Sequence, residues 1–288
     1  MPTTDIALVI LAGGLGSRFG GDKQVQPFGA AGRFLFEYAC YDAKNAGFAK
    51  VFVVVRPGME PLVQQQLEKW IAPQRFEILT QKQTRQKPWG TAHALSFLSG
   101  KWPGSFLVLN ADDYYGKTIM QQVKDLHELG VSAACLAYAL GDTLSSFGAV
   151  SRGICELNGN LLSQITEKTK LQSMEGSIKD ESGMDYSPDT LISMNAWFLP
   201  AKFLDFLAKY VDDYLVQYSN DTQSEIYLPN AIQQAIDTKV LEVRVVKSQG
   251  NWFGLTYSQD LDIATQNIDQ LEVDAYPPYF EQWTESSY

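Results

Sequence analysis

The chain is poor in the residues on which several chemistries depend. Its 288 residues include three cysteines, Cys40, Cys135 and Cys155, and two histidines, His93 and His127. Scattered thiols without a C-x-x-C pairing exclude a disulfide framework and a cysteine-built zinc site. Two histidines exclude a multi-histidine metal centre. Basic residues are also in deficit, 23 Lys+Arg against 33 Asp+Glu, for a net charge of −10. A surface of that sign repels a nucleic-acid backbone and an anionic membrane, although one pocket can still be locally positive. No apolar run approaches the about 18 residues of a membrane-spanning helix. The run Ile6–Ala12 is too short for export, and the residues before it lack a basic n-region. These deficits lead us to expect a soluble cytoplasmic protein that binds neither nucleic acid nor membrane.

What is present is a regular alternation of elements. Ile6–Ala12 (IALVILA), halted by Gly13-Gly14, predicts a strand buried on both faces. Val51–Val55, Phe76–Leu79 and Phe106–Leu109 predict three more strands. Between them the spacing predicts helices over Phe34–Ala46, Pro61–Ile71 and Thr91–Leu98, the first capped by Gly47. Such alternation gives βαβ crossovers and an α/β, mostly parallel sheet with ligands at the carboxyl ends of its strands.

After Gly116 the pattern loosens. We expect a helix over Ile119–Leu129, a strand over Val131–Ala139, and a hairpin of Val150–Glu156 with Leu161–Thr166 around Asn158-Gly159-Asn160. Lys170–Asp189 reads as a polar loop and Leu191–Leu199 as one strand. Helices over Ala201–Tyr218, Leu228–Ile236 and Ser258–Leu271 alternate with late strands at Val240–Val246 and Trp252–Leu255. The aromatic tail Tyr276–Tyr288 could pack on its own domain or on a second copy, which leaves a homo-oligomer open.

The most informative segment is Leu11–Gln24 (LAGGLGSRFGGDKQ). Glycines let the main chain approach a ligand and turn successive N–H groups toward an anion. Arg18 and Lys23 add two cations suited to a polyphosphate. Two common phosphate loops do not match. Counting from Gly14 and Gly16, the third glycine of a dinucleotide fingerprint is Phe19. A Walker loop needs Gly-Lys-Ser/Thr, whereas Asp22 separates Gly21 from Lys23 and Gln24 comes next.

Leu11–Lys23 instead resembles the signature L-A-G-G-x-G-[ST]-R-x-x-x-x-x-K of the sugar-1-phosphate nucleotidyltransferases, or pyrophosphorylases. Weaker matches occur in that family's order: Trp89-Gly90-Thr91-Ala92, Leu107–Asp112, Phe147-Gly148, Thr166-Glu167-Lys168, Ser193-Met194-Asn195 and Trp252–Leu261. The resemblance covers roughly residues 6–270. It implies a three-layer Rossmann-like fold, a mostly parallel sheet flanked by helices, with a smaller sugar-binding lobe. The domain would span 1–271, with a nucleotide part over about 1–116, a sugar part over about 117–256, and a tail at 272–288.

The resemblance also implies roles. Arg18 and Lys23 would be catalytic, stabilising the transferring phosphate. Leu11, Ala12, Gly13, Gly14, Gly16, Ser17, Gly90 and Thr91 would bind nucleotide. Gly148, Glu167, Lys168 and Asn195 would bind the sugar phosphate, and Asp112 would bind Mg2+. The partners implied are a nucleoside triphosphate and a sugar 1-phosphate, giving a nucleotide sugar and pyrophosphate. The nucleophile is an anion already, so no general base is needed, which suits a chain short of histidine. Asp113, next to Asp112 at the strand end, is either turn chemistry or a lesser metal candidate; His93 reads as packing, and His127 and the cysteines as structural. Two departures stand out: Gly254 aligns where close members carry a second metal aspartate, and Pro88 aligns with a base-reading glutamine. Alternatives are a cytidylyltransferase of a non-sugar phosphate such as phosphocholine, a glycosyltransferase, and a non-catalytic nucleotide-sugar regulator.

Overall fold

The computed structural model describes residues 5–16, 21–174 and 177–284. Strand β1 (Ile6–Ala12) lies inside the central sheet with all seven residues buried. Ile6, Leu8, Ile10 and Ala12 enter one apolar core, and Ala7, Val9 and Leu11 enter the other. This two-sided burial is why the segment shows no polar alternation. The short hairpin of β2 (Pro27–Phe28) and β3 (Arg33–Phe34) leads into α1 (Leu35–Ala46). There the Phe34 N–H donates to Glu37 at 2.7 Å, and Gly47 closes the helix at φ 84°. Next come β4 (Lys50–Val55), α2 (Glu60–Leu67), β5 (Phe76–Thr80), α3 (Thr91–Ser96) and β6 (Ser105–Asn110). Strands β5, β4, β1 and β6 are neighbours in that order and all parallel.

The second half extends the same sheet. It comprises β7 (Asp113–Tyr114), α4 (Ile119–Glu128), β8 (Ala134–Ala139), β9 (Val150–Asn158), β10 (Leu161–Met174), β11 (Ser177–Lys179) and β12 (Asp185–Tyr186). Then come β13 (Leu191–Ser193), β14 (Trp197–Leu199), α5 (Lys202–Gln217), α6 (Leu228–Asp237), β15 (Arg244–Lys247), β16 (Phe253–Gly254) and α7 (Asp260–Asp274). The sheet order is β12-β11-β10-β9-β13-β8-β14-β6-β1-β4-β5, with β15 beside β8 and β10. The architecture is the expected Rossmann-like α/β sheet flanked by helices. Its parallel part is joined through antiparallel β14 to the second lobe.

Two segments differ from expectation. The polar stretch Lys170–Asp189 is not a plain loop but carries the end of β10 and the strands β11 and β12. Leu171 and Ile178 are its buried anchors, and Asp180 ties its turn by accepting from the Ser182 and Met184 N–H groups and from the Tyr186 hydroxyl. Backbone pairing and an Asx-type turn need no apolar alternation, so the composition misled. Leu191–Leu199 is broken in two because Asn195 takes φ 59°, a left-handed conformation that asparagine tolerates and a continuous strand does not.

The tail packs on its own domain. Tyr276, Phe280 and Trp283 are buried, and Phe280 stacks on Tyr41 of α1 at 4.3 Å. The Trp283 N–H donates to the Trp70 carbonyl at 2.8 Å. Among the described residues no helix is long and apolar enough to cross a membrane.

The Tyr276 hydroxyl donates to Asp42 at 2.6 Å and lies 3.1 Å from the Tyr114 hydroxyl. Burial pushes the Asp42 carboxyl up to about 7, against the lowering effects of Tyr276 and Lys117. The folded chain therefore keeps a proton that the unfolded chain releases near pH 4. Asp42 thus costs stability progressively as pH rises from about 4 to 7. Asp42→Asn removes this titration. Comparing urea unfolding at pH 5 and pH 7, the variant's pH-dependent loss should be smaller than wild type by roughly 2 kcal/mol.

Candidate active site

Strands β1, β4, β5 and β6 end at one edge, and a cleft opens there as two adjoining cavities of about 390 and 280 Å³. Lys23, Thr91, Asn110, Asp112, Asn195 and Thr256 line both. The larger cavity is bounded by Leu11, Gly13, Gly14 and Gly16 from the glycine loop and by Gly90 and Thr91 at the start of α3. Gly16 holds φ 61°, and a Cβ there would collide with the Gly21 carbonyl oxygen. Gly90 holds φ 99°, and a Cβ there would stand 2.8 Å from the Ile226 carbonyl oxygen. Both positions require glycine.

The Lys23 ammonium sits at the junction of the cavities. It is ion-paired with the Asp112 carboxylate and donates to the Leu255 carbonyl at 2.7 Å. Their side chains are 19% and 16% exposed, so the pair is largely withdrawn from water yet reachable from the cleft. Ala12 is wholly buried in the core and does not line the cleft. Ser17 and Arg18 lie outside the described residues.

In the smaller cavity Glu167 and Asn195 meet Asp113, Arg152, Ser193 and Trp252. Burial pushes the Glu167 carboxyl up, and the Arg152 charge opposes the shift. Burial, then the Asp112 charge, pushes the Asp113 carboxyl up. Asn195 donates to the Asn110 side-chain carbonyl at 3.4 Å. Two expected residues are not brought here. Lys168 is next to Glu167 on β10, and alternation sends it away, its Nζ 3.7 Å from Asp180. Gly148 packs against the Tyr257 hydroxyl, outside both cavities.

The structure adds residues that sequence reading missed. Gln81, at the end of β5 and 2% exposed, donates to the Gly90 carbonyl at 3.2 Å and crowds Gly13. Its amide nitrogen also lies 3.0 Å from His93 Nδ1. Burial, with the Arg85 charge, lowers His93 to about 4, so the ring is neutral at pH 7 and Nδ1 accepts from Gln81. The signal for Gln81 is its position directly after the third strand, since ligands gather at strand ends. Arg152 is a buried cation. Burial lowers it to about 10, its guanidinium donates to Ser151 and Thr143 carbonyls, and it lies 5.2 Å over the Trp252 ring. Nothing in its local sequence marks it.

Among the described residues no three His, Cys, Asp or Glu side chains gather as a metal cage. Asp112 and Asp113 nevertheless place hard carboxylate oxygens on the same cavity. That donor set fits a hard cation such as Mg2+, which takes one or two carboxylates and fills its shell with phosphate oxygens and water.

The MobA-like NTP transferase domain family matches residues 8–170, more than half of the chain. The chain belongs to that family. No curated protein matches it. Its fold is similar to the inositol-1-phosphate CTP transferase of T. maritima, with a TM-score of 0.65 and 14% identity over 94% of this chain and 97% of that one. It is also similar to a putative glucose-1-phosphate thymidylyltransferase from Bacillus anthracis, with a TM-score of 0.64 and 15% identity over 92% and 95%. The CTP:phosphocholine cytidylyltransferase of Streptococcus pneumoniae gives 0.64 and 17% over 91% and 99%. At these identities the likeness establishes the shared fold. As an NTP transferase, the chain carries its strand-end cleft where this fold places ligands.

Gly90 supports the cleft wall through backbone alone, since the Ala92 N–H donates to the Ile226 carbonyl at 2.9 Å and the Ile226 N–H to the Trp89 carbonyl. Gly90→Ala combines a strained φ with a backbone collision. It should cost about 2 kcal/mol or more in urea unfolding, whereas Gly47→Ala, with open space around it, should cost less.

Proposed function

We propose that the chain transfers a nucleoside monophosphate from a nucleoside triphosphate to a sugar 1-phosphate, releasing pyrophosphate. The observation that carries this reading is Lys23, placed between the glycine loop and Asp112 where two cavities meet. The larger cavity takes the nucleotide, its triphosphate lying along the N–H groups of Gly13, Gly14 and Gly16. Gln81 and the Lys87–Glu225 ion pair, 2.7 Å long, line the base side. The smaller cavity takes the acceptor, with Glu167 and Asn195 receiving hydroxyl hydrogens.

An oxygen of the acceptor phosphate attacks the α-phosphorus while the bond to the β-phosphate breaks, and pyrophosphate leaves. The attacking group is an anion, so no side chain needs to remove a proton. The residues instead align two polyanions and offset their repulsion. Lys23 does so directly, and Arg152 adds positive charge on the acceptor side. Asp112 would hold Mg2+, which when bound neutralises phosphate charge.

Two fold neighbours are named for inositol 1-phosphate and phosphocholine, so the architecture serves acceptors other than sugars. The acceptor cavity favours a polyol here. It offers a carboxylate and an amide for hydroxyls, whereas a quaternary ammonium wants open aromatic faces and Arg152 already covers Trp252.

Pyrophosphate release from a panel of triphosphates with sugar 1-phosphates, inositol 1-phosphate and phosphocholine tests the proposal. Release with a sugar 1-phosphate is expected. Release only with phosphocholine, or nucleotide-sugar binding without turnover, overturns it. Lys23→Ala and Asp112→Ala should each lose about 10²–10³ in turnover while still folding, and near-wild-type turnover in either refutes its role.

A further inference from the structure

Beside the cavity proposed for the acceptor lies a third, also of about 280 Å³, which the proposed reaction leaves unused. It opens between the segment 142–146 and the first turns of α7. Arg152 and Trp252 form the wall it shares with the acceptor cavity, and Thr256 borders all three cavities. The three are therefore arms of one cleft that meet at Thr256.

The walls of this third arm are held by buried bonds. Asp260, 9% exposed, accepts from the Thr256 and Tyr257 N–H groups at 2.8 and 2.7 Å and from the Ser145 hydroxyl at 3.2 Å. One carboxylate thus pins the turn at Ser145 to the start of α7. On the opposite wall Arg152 donates to Thr143 Oγ1 at 3.3 Å and to the Thr143 carbonyl. The space exists before any ligand arrives, which spares the cost of ordering it on binding.

Charge decides what can enter. Asp142 and Asp260 repel an anion, and Arg152 repels a cation. An uncharged ligand meets neither penalty. Ser146 and Asn267 offer it a hydroxyl and an amide, while Leu144 and Ile263 offer apolar surface. Hydroxyls set between C–H faces are what a sugar or polyol ring presents to such walls. Trp252 Nε1, in the shared wall, is a buried donor with no acceptor among the described residues. An orphan of that kind costs about 1–3 kcal/mol. A ligand hydroxyl reached by a small turn of the indole would remove that cost.

We infer that the third cavity binds a second, uncharged polyol unit carried by the acceptor, so that the acceptor class is a glycosylated sugar phosphate and not a single ring. The inference rests on the proposed function for the first unit. The extension rests on the convergence of the cavities at Thr256.

The test compares pyrophosphate release with glucose 1-phosphate and with its 2-O- and 4-O-glucosylated counterparts, kojibiose 1-phosphate and maltose 1-phosphate. At least one disaccharide phosphate should give a kcat/KM about tenfold or more above that of glucose 1-phosphate. Ile263→Trp, which fills the third cavity from an exposed position on α7, should remove that advantage. If neither disaccharide phosphate exceeds glucose 1-phosphate, or if the advantage survives Ile263→Trp, the inference is overturned and the proposed function stands. Faster turnover of glucose 1-phosphate on adding free maltose also overturns it, because the cavity then holds a separate effector. Release with no sugar 1-phosphate at all overturns the proposed function instead. Crystals of the wild-type protein soaked with maltose 1-phosphate then decide the inference without turnover. A second ring between Ile263 and Asn267 supports it, and no ring there overturns it.

Discussion

The contact between the Lys23 ammonium, the Asp112 carboxylate and the Leu255 carbonyl ties three distant parts of the chain into one cleft. A lysine side chain reaches only a few ångströms. The glycine loop must therefore leave β1 beside the end of β6, and β16 must return alongside β7. Parallel pairing of β1 with both β4 and β6 satisfies the first requirement, because strands in parallel register end at one edge. The β7–β16 pair satisfies the second. In the proposed function this cation and carboxylate, held together in a partly dry cleft, would each exchange one charged partner for another when a polyanion and a metal bind.

That edge is made rigid from outside. Both faces of β1 are sealed in apolar cores, so the glycine loop starts from a fixed point. The aromatic tail closes one of those cores through Tyr276, Phe280 and Trp283. Its Asp42–Tyr276–Tyr114 contacts run to β7, the strand that carries Asp113. The C-terminal segment thus contributes to the core that supports the cleft.

The smaller cavity shows how sheet register reassigns residues. Glu167 and Lys168 look equivalent in sequence, yet alternation along β10 turns one into the cleft and the other toward Asp180. Arg152 brings positive charge to this side instead. Gly254 and Asp113 form a related pair across β16 and β7, where a side chain absent from one strand is replaced by a carboxylate from its neighbour.

By itself the sequence determined β1, the strand–helix alternation, the glycine loop and the strand-end aspartate. Each is written in consecutive residues: apolar runs report burial, and glycines report turns. The tertiary structure alone decided that Gln81 borders Gly13, that Asn195 breaks a strand, that Arg152 enters the smaller cavity and that Lys168 leaves it. Those outcomes depend on which strands pair and in what register. Long-range packing fixes that choice, and local spacing carries no trace of it.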